Sequence, residues 1–277
     1  MDYVKPVDVA AAMVDAGRRK LGLSPTNLLI RGALAGSILG AATSLAFTGA
    51  LQTGVPLVGA LIFPVGLCII VLLGLDLVTG SFGLLPLPWL ENDGDAKTML
   101  ANWVYVFIGN LIGSMVYGAL LAIALTNFGA TAPTGVGAQI IAIAQAKTTG
   151  YEALGFAGLV TVFVKAMLCN WMVCLAIVIT MTSASTVGKI AAAWMPMLIF
   201  FGQGFEHSVV NMFVIPTGML MGAKVTVAQW WLWNQIPVTL GNLVGGAIFT
   251  GLALYITHKP RGNAPAPLTA PRQVPAE

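Results

Sequence analysis

Charge is what this chain has least of. Only 8% of its 277 residues are Asp, Glu, Lys or Arg, against about 25% in soluble domains. A soluble fold of this length needs a polar surface, and this chain does not carry one. With 57% of its residues hydrophobic, the solvent that suits it is the hydrocarbon of a bilayer. The formal net charge of +3 is small and scattered, so nucleic acid is not an expected partner. Cysteine is also scarce. Cys68, Cys169 and Cys174 lie in apolar stretches, and their spacing fits neither a disulfide framework nor a zinc site. No metal cluster, phosphate-binding loop or nucleophile triad occurs, so no cofactor is expected and the chain reads as a non-enzyme. The opening stretch MDYVKPVDVAAAMVDAGRRK lacks the apolar core of a signal peptide. It predicts a short amphipathic helix with Val9, Met13 and Ala16 on its apolar side, within a cytoplasmic segment 1–26.

Long apolar runs are what the chain does have. A crossing helix takes about 20 apolar residues over about 30 Å of hydrocarbon. Six runs qualify, at about 31–51, 56–90, 100–126, 160–182, 192–222 and 231–257. The membrane domain is therefore expected over 27–258, with a Pro-rich disordered tail over 259–277. The stretch 127–159, rich in Gly, Thr and Ala, reads as a long outer connection. Basic residues set the direction. With both ends inside, the cytoplasmic side holds ten of them: Lys5, Arg18, Arg19, Lys20, Arg31, Lys97, Lys189, Lys259, Arg261 and Arg272. The outer side holds Lys147 and Lys224. This positive-inside bias predicts cytoplasmic termini in an inner or plasma membrane. Lys165 falls near the start of the fourth span.

The chain also repeats itself. GNLIG at Gly109–Gly113 returns as GNLVG at Gly241–Gly245, 132 positions later. Trp103 answers to Trp233, and Asp76 to Glu206, each 130 positions on. Arg31, Gly32, Gly36 and Gly40 share their spacing with Lys165, Ala166, Asn170 and Cys174 at an offset of 134. Three spans per half make the second half inverted, an arrangement that in transporters places the solute site near the midplane, where paired helices break. The small residues at four-residue spacing also mark packing faces.

Two spans carry the signs of a break. The second holds Asp76 between Gly74 and Gly80; the fifth holds Gly202, Gly204, Glu206, His207 and Asn211. An ionisable group at mid-membrane costs several kcal/mol unless paired or facing a cavity. Irregular backbone is tolerated there only inside protein or along a polar path. The breaks are equivalent in the repeat and are expected to meet at the centre. His207 can then serve as a proton donor, since histidine titrates near neutrality. The alternative is a buried neutral histidine with one partner. Carboxylates repel anions, so Asp76 and Glu206 are expected to accept hydrogen bonds from backbone N–H groups freed at the breaks, with Glu206 also orienting His207.

At this point the residues match a family. GLDLVTG, CNWMVCLA, GFEHSVVNM and GNLVGG together resemble the formate/nitrite transporter family over roughly residues 5–257. The resemblance implies a homopentamer of all-α, six-helix, aquaporin-like protomers, each with its own pore. The family's central histidine falls on His207, its loop threonine on Thr79 and its fourth-span asparagine on Asn170. Its apolar constrictions fall on Phe63 and Leu67 at the outer side, and on Leu77 and Phe200 at the inner side. Its lysine falls on Lys147 across a longer connection to Asn170, which requires an insertion and makes Lys165 a rival outer cation. The implied function is a channel or transporter for small monovalent anions of the formate and nitrite class, with the anion protonated at His207. Hydrosulfide, bicarbonate, acetate or lactate is the alternative solute. A non-transporting membrane scaffold is the alternative class, while an aquaporin is disfavoured because no paired Asn-Pro-Ala occurs. Read without the family, Asn170 equally ties two helices together, and Lys147 and Lys165 equally sit at an interface with their stems in apolar surroundings.

Overall fold

The computed structural model describes residues 2–259, and their regular elements are helices. Apart from Lys259, the expected tail lies outside the described residues. Four helices are long and apolar enough to cross a membrane: Pro25–Thr53, Ala96–Thr126, Phe156–Thr180 and Val227–His258. Between them stand two pairs of shorter apolar helices, Pro56–Leu72 with Val78–Leu90, and Thr186–Gly202 with Ser208–Leu220. Each pair makes one broken crossing, so six crossings result, the second and fifth interrupted.

The ends of these helices follow from local chemistry. Ser24 caps the first span through the Asn27 N–H, with Pro25 in the first helical position, where its missing N–H costs nothing. Asp95 caps the third span. Its hydrogen bond from the Thr98 hydroxyl, and another from the Thr98 N–H, hold the carboxyl below the usual range. The sixth span contains π-helical turns at Trp231–Gln235 and Gly245–Leu252, the kind of irregularity that re-aims side chains at functional sites.

The expected amphipathic helix spans Pro6–Leu21 and buries Val9, Met13 and Ala16. They pack against Leu84, Leu87, Val178 and Tyr255. Arg18 on its outer face pairs with Asp15 at 2.8 Å and Glu91 at 3.0 Å. Ahead of the helix, Asp2 accepts from the Ser183 hydroxyl and from the Ala184 and Ser185 N–H groups, bonds that hold its carboxyl below the usual range. The helix is thus tied to the body at both ends, and its last turn carries Lys20 toward the second-span break.

The 127–159 connection is more ordered than its composition suggests. It contains helices Val136–Ala146 and Thr149–Glu152, with Ile140, Ala144 and Tyr151 buried. Short runs rich in Gly, Thr and Ala carry too weak a periodic signal to announce such helices.

The glycines of the repeat bring backbones together. A Cβ on Gly113 would overlap the Ala33 carbonyl oxygen, and one on Gly245 would overlap that of Met167. The first and third spans, and likewise the fourth and sixth, therefore pack with only hydrogen atoms between main chains.

Candidate functional site

The two breaks are built alike. After Leu72 the second crossing reaches Gly74 at φ +64°, and after Gly202 the fifth reaches Gly204 at φ +66°. Both are Schellman ends. Leu75 N–H donates to Ile70 O at 2.9 Å, and Phe205 N–H donates to Phe200 O at 3.1 Å. Three residues later each half starts a new helix, with Leu77 at the cap position of the first without a side-chain hydrogen bond, and His207 capping the second.

Backbone groups freed at the breaks are met by asparagines rather than by the expected carboxylates. Asn110 Oδ1 accepts from Val78 N–H at 2.9 Å, and its Nδ2 donates to Gly32 O and Asp76 O at 2.8 Å each. Asn242 repeats this: Oδ1 accepts from Ser208 N–H at 2.8 Å, while Nδ2 donates to Ala166 O at 2.8 Å and Glu206 O at 2.9 Å. These are the asparagines of GNLIG and GNLVG. The repeat announced them, but beside glycines they read as spacers on a packing face.

The carboxylates pair instead with lysines. Glu206, 2% exposed, accepts from Lys147 Nζ at 2.7 Å and Asn211 Nδ2 at 2.8 Å on one oxygen, and from the Tyr151 hydroxyl at 2.8 Å on the other. Asp76 accepts from Lys20 Nζ on Oδ1, and its buried Oδ2 has no partner. Glu206 does not orient His207 as expected, because neighbouring residues in extended backbone point to opposite sides. Sequence reasoning missed Tyr151 altogether and counted Lys20 only as a basic residue. Nothing local marks either one, since both reach the site across long sequence separations.

His207 faces the other break. Its Nδ1 accepts from Val210 N–H at 3.2 Å, and its Nε2 stands 3.1 Å from Thr79 Oγ1. That pattern places the proton of the neutral ring on Nε2, donating to Thr79. Thr79 is further held through its carbonyl, which accepts from Asn170 Nδ2 at 3.0 Å and Cys174 Sγ at 3.2 Å. Asn170 Nδ2 also donates to Asn242 O at 2.6 Å, so both of its donors are spent on main chain and it ties helices together.

Two cavities approach this centre and share no lining residue. One, of about 500 Å³, is lined by Lys147, Tyr151, Lys165, Phe200, Glu206 and His207 among others. The second, of about 620 Å³, includes Lys20, Arg31, Leu67, Asp76 and Leu77 in its wall. Lys147 and Lys165 thus reach the same cavity. Buried apolar side chains close both cavities toward the middle. Phe200 lies against the His207 ring at 5.8 Å between centroids, and Phe63 meets Phe200 edge-on at 5.4 Å. This corrects the expected grouping. Phe63 belongs with Phe200 on the Lys147 side, and Leu67 with Leu77 on the Lys20 side. One helical turn, about 5.4 Å, separates Phe63 from Leu67, so they cannot share a ring.

Comparison with known proteins follows the same lines. The formate/nitrite transporter profile matches residues 7–256. A probable formate transporter of Methanothermobacter thermautotrophicus is 35% identical over 271 residues, covering 92% of this chain and 97% of the relative. The formate channel FocA of Escherichia coli K12 is 27% identical over 281 residues, covering 93% of this chain and 95% of its own. Among solved structures, an FNT family ion channel aligns with a TM-score of 0.78 and 29% identity over 90% of this chain and 98% of its own. A pentameric formate channel with formate bound aligns at 0.66 and 26% identity over 84% and 97%. With apolar crossings, matched length and matched fold all in agreement, this chain is an integral membrane protein that belongs to the formate/nitrite transporter family.

Proposed function

We propose that the protein carries small monovalent anions of the formate and nitrite class across the membrane, and that the anion crosses its centre as the neutral acid. The observation that carries this reading is the Thr79–His207 contact, set between two separate cavities and flanked by Phe200 and Leu77. An isolated ionised carboxylate pays a heavy desolvation penalty in such surroundings, whereas its protonated form pays far less. His207 takes a proton from water in the Lys147 cavity on Nδ1, releasing the Val210 N–H, and becomes the imidazolium. It then gives the proton from Nε2 to the oxyanion, which leaves as a neutral acid, and exchange with water moves the remaining ring proton from Nδ1 back to Nε2, restoring the starting state. Thr79 holds the oxyanion during the transfer. Asp76 and Glu206 remain paired to Lys20 and Lys147, and Asn170 fixes the first turn of the helix that presents Thr79. The assembly is a homopentamer with a pore in each protomer, as the relative with formate bound is pentameric.

The test uses purified protein in liposomes loaded with a pH dye. Formate or nitrite added outside should acidify the lumen well above the rate of empty liposomes, and native mass spectrometry in mild detergent should give a pentamer. Flux no faster than in empty liposomes would leave the scaffold reading standing.

The same proposal sets the direction of the chain, with the Lys20 cavity facing the cytoplasm and the Lys147 cavity facing outward, the halves being inverted. Its support is the ten-to-two split of basic residues. Single cysteines introduced at Lys5 and Lys259 should resist an impermeant maleimide applied to whole cells, and one at Lys224 should react. The opposite pattern overturns the orientation.

A further inference from the structure

Each cavity holds more cations than its carboxylate can neutralise. In the Lys147 cavity, Glu206 takes up Lys147. Lys165 remains, half-buried and unpaired with any carboxylate among the described residues; its Nζ stands 5.9 Å from the centre of the Tyr151 ring. Its depth is fixed, because Glu206 N–H donates to the Lys165 carbonyl at 3.4 Å. In the other cavity, Asp76 takes up Lys20. Arg31 remains, reaching across the end of the break to donate to the Gly74 carbonyl at 3.4 Å. Arg19 lines this cavity too, but on the exposed side. Arg31 and Lys165 are the repeat partners, 134 positions apart, on the first helix of each half. Both mouths therefore repeat one arrangement: a lysine consumed by the break carboxylate, and a spare cation beside the break.

We propose that Lys165 and Arg31 are the docking cations of two peripheral anion sites, one at each mouth, and that the two sites differ in what they prefer. This rests on the transport reading above and deepens it. Lys165 presents a point charge with three donors and no acceptor partner, in a cavity with Phe47, Leu154 and Phe205 in its wall. It takes a monovalent anion whatever its shape, and apolar walls accept the short alkyl part of a carboxylate. Arg31 presents a planar fork with one donor spent. It favours two-oxygen planar anions, formate and nitrite among them, over spherical ones. The neutralised pairs Lys147–Glu206 and Lys20–Asp76 hold the walls and add little net attraction.

The experiment measures one-way formate flux from each side separately, in vesicles of known orientation. Lys165→Gln should raise the half-saturating concentration from the outer side by roughly threefold to tenfold, as expected for one unit charge a few ångströms away in a wet mouth. Its maximal rate and its inner half-saturation should stay within twofold of wild type. Arg31→Gln should show the mirror image, and Lys165→Arg should restore the outer value. Chloride on the inner side should compete with formate more strongly in Arg31→Lys than in the wild type. Adding impermeant salt should shrink the Lys165→Gln effect. An unchanged half-saturation on the variant's own side, or an equal rise on both sides, overturns the inference. A second measurement needs neither flux nor variants: outside formate should slow reaction of wild-type Lys165 with an amine-specific reagent, read by peptide mass spectrometry. Absent flux with such protection would sink the transport reading alone, and absent protection would sink the docking site itself.

Discussion

His207→Asn should assemble, still pass some anion, and stop acidifying the lumen. The ring of His207 does two jobs, and asparagine keeps one of them. Nδ1 caps the helix Ser208–Leu220 by accepting from Val210 N–H, and asparagine is among the best residues at that position. The shorter side chain also stays within what a packed site absorbs. Proton donation from Nε2 is lost outright. A positioned proton donor contributes about 10²-fold or more, so dye-reported acidification driven by formate should fall by roughly a hundredfold while a bare anion leak persists. His207→Leu offers a built-in control, since a leucine, Leu77, already stands at the equivalent position of the sister break without a side-chain cap. It should fold and show neither acidification nor leak. Thr79→Val should leave the histidine in place and slow acidification less. If His207→Asn acidifies as fast as the wild type, after correction for passive leak of the acid, the histidine is a structural polar group and protonation at the centre has to be given up.

Asn242→Ala should be the most damaging truncation of an uncharged residue at the breaks. It strands the Ser208 N–H and the carbonyls of Ala166 and Glu206. Each buried group left unpaired costs about 1–3 kcal/mol, which gives a loss of roughly 3–9 kcal/mol from a total that is commonly about 5–15. The purified variant should therefore dissociate or aggregate well below the wild-type transition in a thermal ramp followed by size-exclusion chromatography. Asn110→Ala should behave alike, because Asn110 makes the equivalent bonds to Val78, Gly32 and Asp76. Asn242→Asp keeps the acceptor for Ser208 N–H but turns a buried carboxylate oxygen toward the Ala166 and Glu206 carbonyls, and should be no more stable than alanine. Melting of Asn242→Ala within about 2 °C of wild type would mean that water or a shifted neighbour meets these groups.

Much of the architecture was legible because a bilayer imposes a simple code. Six apolar runs, a charge beside glycines in two of them, and one recurring offset located the crossings and their breaks, and Gly74 and Gly204 do take the left-handed turn that ends each half-helix. The family resemblance singled out Thr79 and His207 as site residues, but not their contact with each other, which no periodicity reveals. What stayed hidden depends on side-chain reach. Lys20 meets Asp76 across 56 positions and Tyr151 meets Glu206 across 55, distances over which a single sequence gives no register. The grouping of Phe63, Leu67, Leu77 and Phe200 failed for a related reason. Apolar residues look interchangeable along a helix until the axial rise separates them into different layers. Asn110 and Asn242 were in plain view within the repeated pentapeptides, but their roles depend on which carbonyls a neighbouring break leaves open.

The placement of the asparagine bonds also bears on how the chain is made. Every partner of Asn110 lies between Gly32 and Val78, and every partner of Asn242 between Ala166 and Ser208. The first three crossings can therefore satisfy their own irregular backbone as they leave the ribosome, with nothing waiting on the second half. In hydrocarbon that matters, because no water is present to hold an open carbonyl while its partner is still being synthesised. The later half then arrives beside a finished neighbour. At the breaks, polar ties across the seam run from Thr79 to His207, Asn170 and Cys174, while away from them Asp2 binds Ser183, Glu91 binds Tyr255 and Cys68 meets the Ile190 carbonyl. The two halves thus close their own breaks separately, and they meet at the residue to which the transport proposal assigns the anion.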